Sequence, residues 1–376
     1  MNIYILDPDF NKIGLCDSYK SFIWTPRYFE CGDFELYTPA TAELLQQLTR
    51  GNLVMREDDT EHAMFIERVV VTTDAEEGNT ITASGRCLKS VLARRIIPRQ
   101  TILSGTVAQG ISRLLAENII NPVGDARRID NFILGSFTAG TETMKRQFTG
   151  DNLADAVINI CKSYGIGWDV RVNLSTKKML FDLYAGTDRS YTQSLNPFVV
   201  FSPEYENLVN TTYEENDAEY KNFAFVGGEG EGNARWIHET GDLDASGLDL
   251  YELFVDAKDI SRNGDEISPS EYDAMLAAVG MERLAECETT VTFEGSTHTG
   301  RNYQYGVDYN LGDIVEVVNE YGIEARSRIS EIIDCIDETG RHTIPTFESV
   351  YTPREYWVDE SGAYYIDETG RKYTLH

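Results

Sequence analysis

The chain has 376 residues, enough for two or three domains with cores of their own. It carries 62 acidic residues against 33 basic ones, a formal charge of −29, and a surface this acidic repels phosphate, which argues against nucleic-acid binding. With 41% hydrophobic and 11% aromatic residues it lies outside the low-hydrophobicity class of disordered chains, so a folded globular protein is expected.

The opening "MNIYILDPDF" has no basic segment followed by an apolar run, and no uninterrupted apolar stretch of about 18 residues occurs anywhere. The expectation is a chain that is neither exported through a signal peptide nor stably inserted in a membrane. Cys16, Cys31, Cys87, Cys161, Cys287 and Cys335 are widely spread, with no C-x-x-C pair and no zinc-like spacing to histidine. They read as buried free thiols of a protein made in a reducing cytosol.

Residues 1–88 read as β: "NIYIL", "FELYTP", "MFIERVVVT" and "NTITASG" are apolar runs parted by turn formers, and only "ATAELLQQL" is helical. A small barrel or sheet with a helical flap is expected. From 89 to 197 the period changes. "SGTVAQGISRLLAEN" offers Ser104 or Thr106 as N-cap and places Val107, Ile111, Leu114 and Leu115 on one helical face. "TGDNLADAVINICKSYG" repeats the design, with Asp151 as cap, Leu153, Val157, Ile160 and Cys161 inward, and Gly165 as terminator. "GWDVRV" and "KKMLFDLYAG" follow as strands, which makes this stretch a compact α+β unit.

Beyond Pro197 the pattern returns to β in "ENLVNTTYEEN", "EYKNFAFVGG", "ARWIHET" and "LYELFVDAKDI". One helix interrupts it, "SPSEYDAMLAAVGMERLAEC", capped by Ser268 or Ser270, with Met275, Leu276, Val279 and Leu284 on its apolar side. Asn319–Gly322 and Asp337–Gly340 then fit type I turns, where Asp or Asn caps the first position and Gly supplies the reversal. Asp359–Gly362 and Asp367–Gly370 repeat the pattern, so these acidic tips are corners and not chemistry, with the glutamates facing solvent. "FIERVVVTTDAEEGNTI" (65–81) and "RISEIIDCIDETGRHTI" (328–344) echo each other, as two copies of one hairpin would, although a strand-rich chain can produce such an echo by chance.

No local pattern carries catalysis. His62, His238, His298, His342 and His376 form no H-E-x-x-H and no close pair. Glycine-rich "VGGEGEGN" (226–233) lacks the Lys-Ser/Thr of a phosphate loop, and its glutamates would repel phosphate, so it reads as a hairpin loop. Asp242, Asp244, Ser246, Gly247 and Asp249 open like a calcium loop, but Leu253 occupies the twelfth position and Glu252 comes one residue early, so a plain acidic loop is favoured. With 62 acids no particular glycosidase pair stands out, and no peptidase signature surrounds any cysteine. No catalytic, cofactor-binding or metal-binding residue is assigned, and no cofactor is expected.

Four separated blocks do resemble a known family. They are "WTPRYFECGDFELYTPA" (24–40), "ITASGRCLKSVLARRII" (81–97), "GLDLYELFVDAKDIS" (247–261), and "YQYGVDYNLGDIVEVV" (303–318) leading into "RISEI" (328–332). In this order they resemble the tail-tip, or baseplate hub, proteins of long-tailed phages. The resemblance implies an α+β, mainly β architecture: tail-tube-like β-barrels at 1–88 and 198–350 separated by an α+β insert at 89–197. It fades after about Phe347, and the aromatic runs and two acidic turns that follow read as a short C-terminal β-meander at 351–376, too small to be stable alone. The resemblance further implies a non-enzymatic virion component at the distal end of the tail, assembled as a homotrimer ring. Its partners would be a tail-tube or distal tail protein, the tape-measure protein, and receptor-binding or fibre proteins. DNA would pass through a lumen whose acidic walls do not bind it. Two other readings compete: a tail-associated peptidoglycan hydrolase using an Asp/Glu pair within 200–350, and an acidic carbohydrate-binding β-protein.

Overall fold

In the computed structural model, residues 1–74, 78–262, 264, 266–287, 289–296 and 303–350 are described. The chain begins with β1 (Ile3–Leu6), β2 (Lys12–Cys16), β3 (Ser21–Thr25), β4 (Asp33–Pro39), α1 (Ala42–Gln47), β5 (Leu53–Arg56), β6 (Asp59–Asp74) and β7 (Gly78–Cys87). It continues through β8 (Thr101–Thr106), α2 (Val107–Leu115), β9 (Phe132–Phe137), β10 (Thr143–Phe148), α3 (Leu153–Tyr164), β11 (Gly167–Asn173) and β12 (Lys178–Tyr184). Then come β13 (Val200–Phe201), β14 (Val209–Asn216), β15 (Phe223–Gly227), β16 (Ile237–Gly241), β17 (Glu252–Asp256) and α4 (Pro269–Ala285). The last strands are β18 (Thr290–Ser296), β19 (Ile314–Val318), β20 (Glu324–Asp337) and β21 (Gly340–Ser349).

The chain is mainly β, and strands from its two ends build one 13-stranded sheet, in the order β14-β18-β21-β20-β3-β4-β7-β6-β5-β1-β2, with β19 and β13 branching from β20. The join is β20. One edge of this long strand pairs along β21, while the other pairs with β19 through Glu324–Arg328 and with β3 through Asp334–Asp337. Two separate barrels were expected at 1–88 and 198–350. Among the described residues neither half closes its own hydrogen-bonded ring, and the halves are continuous through β20. Each half still wraps its own core, because alternating strand residues bury one face. Phe22, Trp24, Phe34, Leu36 and Ile81 fill the first; Phe201, Val315, Ile329 and Phe347 fill the second.

The sequence echo has a geometric counterpart. β6–β7 and β20–β21 are long antiparallel hairpins, and each has a register shift at the same place, between Ile66 and Arg68 in one and between Ile329 and Glu331 in the other. A bulge bends its strand and raises the local twist, so both hairpins curl at matching points.

The α+β region packs α2 and α3 against short sheets. Val107, Ile111, Leu114 and Leu115 of α2, and Leu153, Val157, Ile160 and Cys161 of α3, are all buried, as their spacing predicts. Of the two candidate caps for α2, Thr106 caps, in a reciprocal box with Gln109. For α3 the cap is Asn152 and not Asp151. Asn152 Oδ1 accepts from Ala154 N at 2.9 Å and its Nδ2 reaches the Ala93 carbonyl, whereas the Asp151 carboxylate is used one turn earlier, on Thr149 N at 2.8 Å. Gly165 ends α3 in the left-handed conformation, φ 63°.

Within 198–350 the sequence suggested strands with one helix. The strands β16-β15-β17 instead form a sheet of their own, with β15 and β17 parallel, and pack on Tyr272, Met275 and Leu276 of α4 as a separate small core. Ser268 caps α4 through a box with Glu271, and Pro269 fits the first turn.

Candidate functional site

The region best equipped to define function is the junction where both half-sheets meet the α+β unit. It is built around the loop Pro26–Gly32, which connects β3 to β4. Tyr28 is wholly buried there. Its hydroxyl lies 3.2 Å from the Gly165 carbonyl and 3.3 Å from that of Tyr184, and accepts from Gly186 N at 3.1 Å. The Arg328 guanidinium stands 5.0 Å over its ring, a cation–π contact. Lys89 is buried with its ammonium on the carbonyls of Arg27, Tyr28 and Glu30 at 2.8, 3.1 and 3.1 Å, and it faces the Trp168 ring at 4.7 Å. Trp168 Nε1 in turn donates to the Phe29 carbonyl at 2.6 Å.

Around this hub lie charge networks. Asp334 of β20 accepts from Arg56 Nη1 at 2.8 Å and from Arg341 Nη2 at 2.5 Å, and both arginines also hold Asp58. Arg27 bridges Glu331 and Asp33. His62 of β6 sits between Asp59 and Asp169, each at 2.8 Å, which ties the first half-sheet to β11. Burial works against a charged His62, but Asp169 and Asp59 outweigh it and raise its pKa well above the ordinary value. Burial likewise opposes the Asp169 charge, yet the His62 charge and hydrogen bond hold Asp169 at about 2. These groups are paired ions that fix geometry, with their carboxylates committed to cationic partners.

The residues weighed from sequence are scattered. Asp242 Oδ1 accepts from Asp244 N at 3.1 Å, Gly247–Asp249 is a short 3₁₀ turn, and Glu252 is carried off into β17. Among the described residues no three His, Cys, Asp or Glu side chains converge as a metal site. "VGGEGEGN" is the β15–β16 hairpin connection. All six cysteines are free thiols; Cys16 and Cys161 are buried and the other four are partly buried. The turns hold: Asn319 Oδ1 caps Tyr321 N and Ile323 N at 2.9 Å each, Asp337 Oδ1 caps Thr339 N at 2.7 Å, and Gly322 and Gly340 have positive φ. Glu320 does not merely face solvent, because it accepts from Thr211 Oγ1 at 2.5 Å. Asp359–Gly362, Asp367–Gly370, His298, His376 and the expected meander at 351–376 lie outside the described residues.

Two shallow cavities stand out. One, of about 180 Å³, lies beside the junction and is lined by Arg27, Glu30, Lys162, Glu331 and Glu348, among others. Glu331 is engaged by Arg27. The other, of about 290 Å³, is lined largely by arginine.

A family match decides what this architecture belongs to: the profile described as Siphovirus ReqiPepy6 Gp37-like protein matches residues 2–347. The chain belongs to the Siphovirus ReqiPepy6 Gp37-like family. Three solved structures share its fold. The tail protein from Neisseria meningitidis MC58 is 14% identical, with a TM-score of 0.57 over 92% of this chain and 96% of that one. The prophage MuSo2 43 kDa tail protein from Shewanella oneidensis is 13% identical, with a TM-score of 0.56 over 93% and 98%. The prophage tail protein gp18 from Listeria monocytogenes EGD-e is 11% identical, with a TM-score of 0.56 over 94% and 96%. Curated proteins yield no match. The Gp37-like chain is thus a siphovirus-family protein with the fold of phage tail proteins, and among its described residues no helix is long and apolar enough to cross a membrane.

Proposed function

We propose that this protein is a non-enzymatic structural component of the virion, a tail-tip or baseplate hub that continues or closes the tail tube and links it to distal host-recognition parts. The observation that carries the reading is the doubling: two hairpins bulged at matching points, set in one sheet whose end strands β2 and β14 each pair on one side only among the described residues. Sheet edges are the natural place for one chain to extend another.

In this reading 1–88 and 198–350 act as two tube-like units, completed by neighbouring copies, with 89–197 as an α+β insert and 351–376 as an extension packed on an adjacent protein. A homotrimer with two units per chain presents pseudo-six-fold symmetry to the tube. Part of the −29 surplus lines the lumen, so that DNA slides past without sequence-specific contacts. The neighbours are a tail-tube or distal tail protein, the tape-measure protein and receptor-binding or fibre proteins. The chain is made in the host cytoplasm and ends at the distal tip of the tail.

Native mass measurement of the full chain, alone and with the adjoining tail protein, tests the ring, and immunogold labelling of virions tests its place. A cyclic oligomer and label at the tip are expected. A monomer under both conditions, label distributed along the tube, or clearing of peptidoglycan on a zymogram would overturn the reading.

A further inference from the structure

The arginine groove is unusual in so acidic a chain. Its walls come from the segment after β7 and from the turn Asp125–Arg127. Ile97 is buried, and its backbone pairs with Asp151 and Gly150, which leaves the neighbouring Ile96 side chain 47% exposed in the groove. Arg95 Nε donates to the Arg127 carbonyl at 2.9 Å, and Arg127 Nη2 donates to the Ile96 carbonyl at 2.6 Å and to Asn118 Oδ1 at 3.1 Å. Arg94 is held by stacking 4.4 Å from the Phe65 ring centroid. All these partners are neutral. Among the described residues none of Arg94, Arg95 or Arg127 has a carboxylate within ion-pair distance, whereas nearby Arg128 is paired with Asp130. Three guanidiniums are thus oriented by neutral groups and left with their charge uncompensated. Burial, followed by the charges of Arg127 and Arg94, weakens the hold of Arg95 on its proton.

We propose that this groove docks a carboxylate-rich, partly apolar segment of another protein. Guanidinium forks pair with carboxylates in two-point contacts, and the floor of Ile96, Pro98 and Ala126 suits apolar residues spaced between the acids. A nucleic acid fits less well. Its charges recur about every 1.7 Å along the axis, so it would run on from a groove this short along a chain whose net charge is −29. A protein segment can confine its carboxylates to the groove. The inference goes beyond the ring-forming role and can fail while that role stands.

The test uses the full chain and a fluorescein-labelled peptide of glutamates interspersed with leucine and valine, read by anisotropy at low salt and at about 0.15 M salt. Binding that weakens with salt is expected. Arg94→Glu should weaken it about tenfold, and Arg128→Gln, which removes an already paired charge, should change it less than about twofold. Should Arg94→Glu lower the melting temperature, Arg94→Gln carries the test, with a loss of about threefold. Unchanged affinity in the Arg94 variant, equal binding of the glutamine analogue of the peptide, or tighter binding of duplex DNA would overturn the proposal. Self-association of the wild type that Arg94→Glu abolishes would also overturn it, since the occupant would then be a second copy.

Discussion

Arg56 Nη1 meets Asp334 Oδ2 at 2.8 Å across 278 residues of sequence, a contact that ties β5 of one half-sheet to β20 of the other. The two side chains retain only 9% and 2% exposure. At that depth the pair's worth lies in what is stranded when one partner goes, because an unpaired buried charge has no water to solvate it. Asp334→Ala leaves Arg56 and Arg341 sharing Asp58 alone, with Arg56 short of one charged partner at 9% exposure, and should cost about 1–3 kcal/mol in denaturant unfolding. An effect within about 0.5 kcal/mol would mean that the network is not formed in solution.

The same cluster sets an acid limit. Burial opposes the charge of Asp58, but Arg56 and then Arg341 overcome it and hold the carboxylate at about 2. Because the folded value lies below the unfolded one of about 3.9, the contribution is complete above that value and is lost as pH falls toward about 2. Melting temperatures of Asp58→Asn and wild type should converge between pH 4 and 2. Parallel curves through that range would count against the pairing.

His62 works in the opposite direction. Its folded pKa is raised, so its stabilisation is complete below about 6.5 and disappears as pH climbs through the folded value. Asp169, held at about 2, adds stability that is present above about 3.9 and lost toward that folded value. The clamp is therefore strongest between about pH 4 and 6.5. His62→Gln should flatten the alkaline fall in melting temperature, and an unaltered alkaline limb would show that the titration lies elsewhere.

Tyr28 is wedged between glycines. A Cβ built on Gly312 would come within 2.1 Å of the Tyr28 ring, and one on Gly167 within 2.2 Å. Gly312 also has φ 91°, where alanine is strained. Gly312→Ala should therefore destabilise by about 2 kcal/mol or more, the sum of backbone strain and overpacking. Gly322→Ala, strained but open to space, should cost less. Equal losses by chemical denaturation would remove the packing argument.

Helix α4 offers a paired comparison of its two candidate caps. Ser268→Ala removes the acceptor for Glu271 N and should cost about 1 kcal/mol, while Ser270→Ala, inside the first turn, should be close to neutral. The reverse order in thermal melts would reassign the start of the helix.

What sequence revealed and what it hid divides along physical lines. Local signals held: the inward faces of α2 and α3 follow helical spacing, the Asn319 and Asp337 corners follow turn chemistry, and the hairpin echo marks a shared bulge. Asp151 and Asn152 are equally good caps by residue type, and only the competing bond to Thr149 N decides between them. The junction was not legible, because Tyr28–Gly165, Arg56–Asp334 and His62–Asp169 join residues more than a hundred positions apart with no local period. Nor was the continuity of the sheet, since strand alternation labels two faces and says nothing of which edge meets which. The small unit of β15–β17 and α4 used the same turn residues as its surroundings, so nothing in composition set it apart.

That one strand, β20, serves both halves leaves no hinge between them. To swing one half against the other would rupture ladder bonds to β3 or β19 in the middle of a sheet, so the two halves are held as one body and any large motion of the chain falls to parts hung outside the sheet.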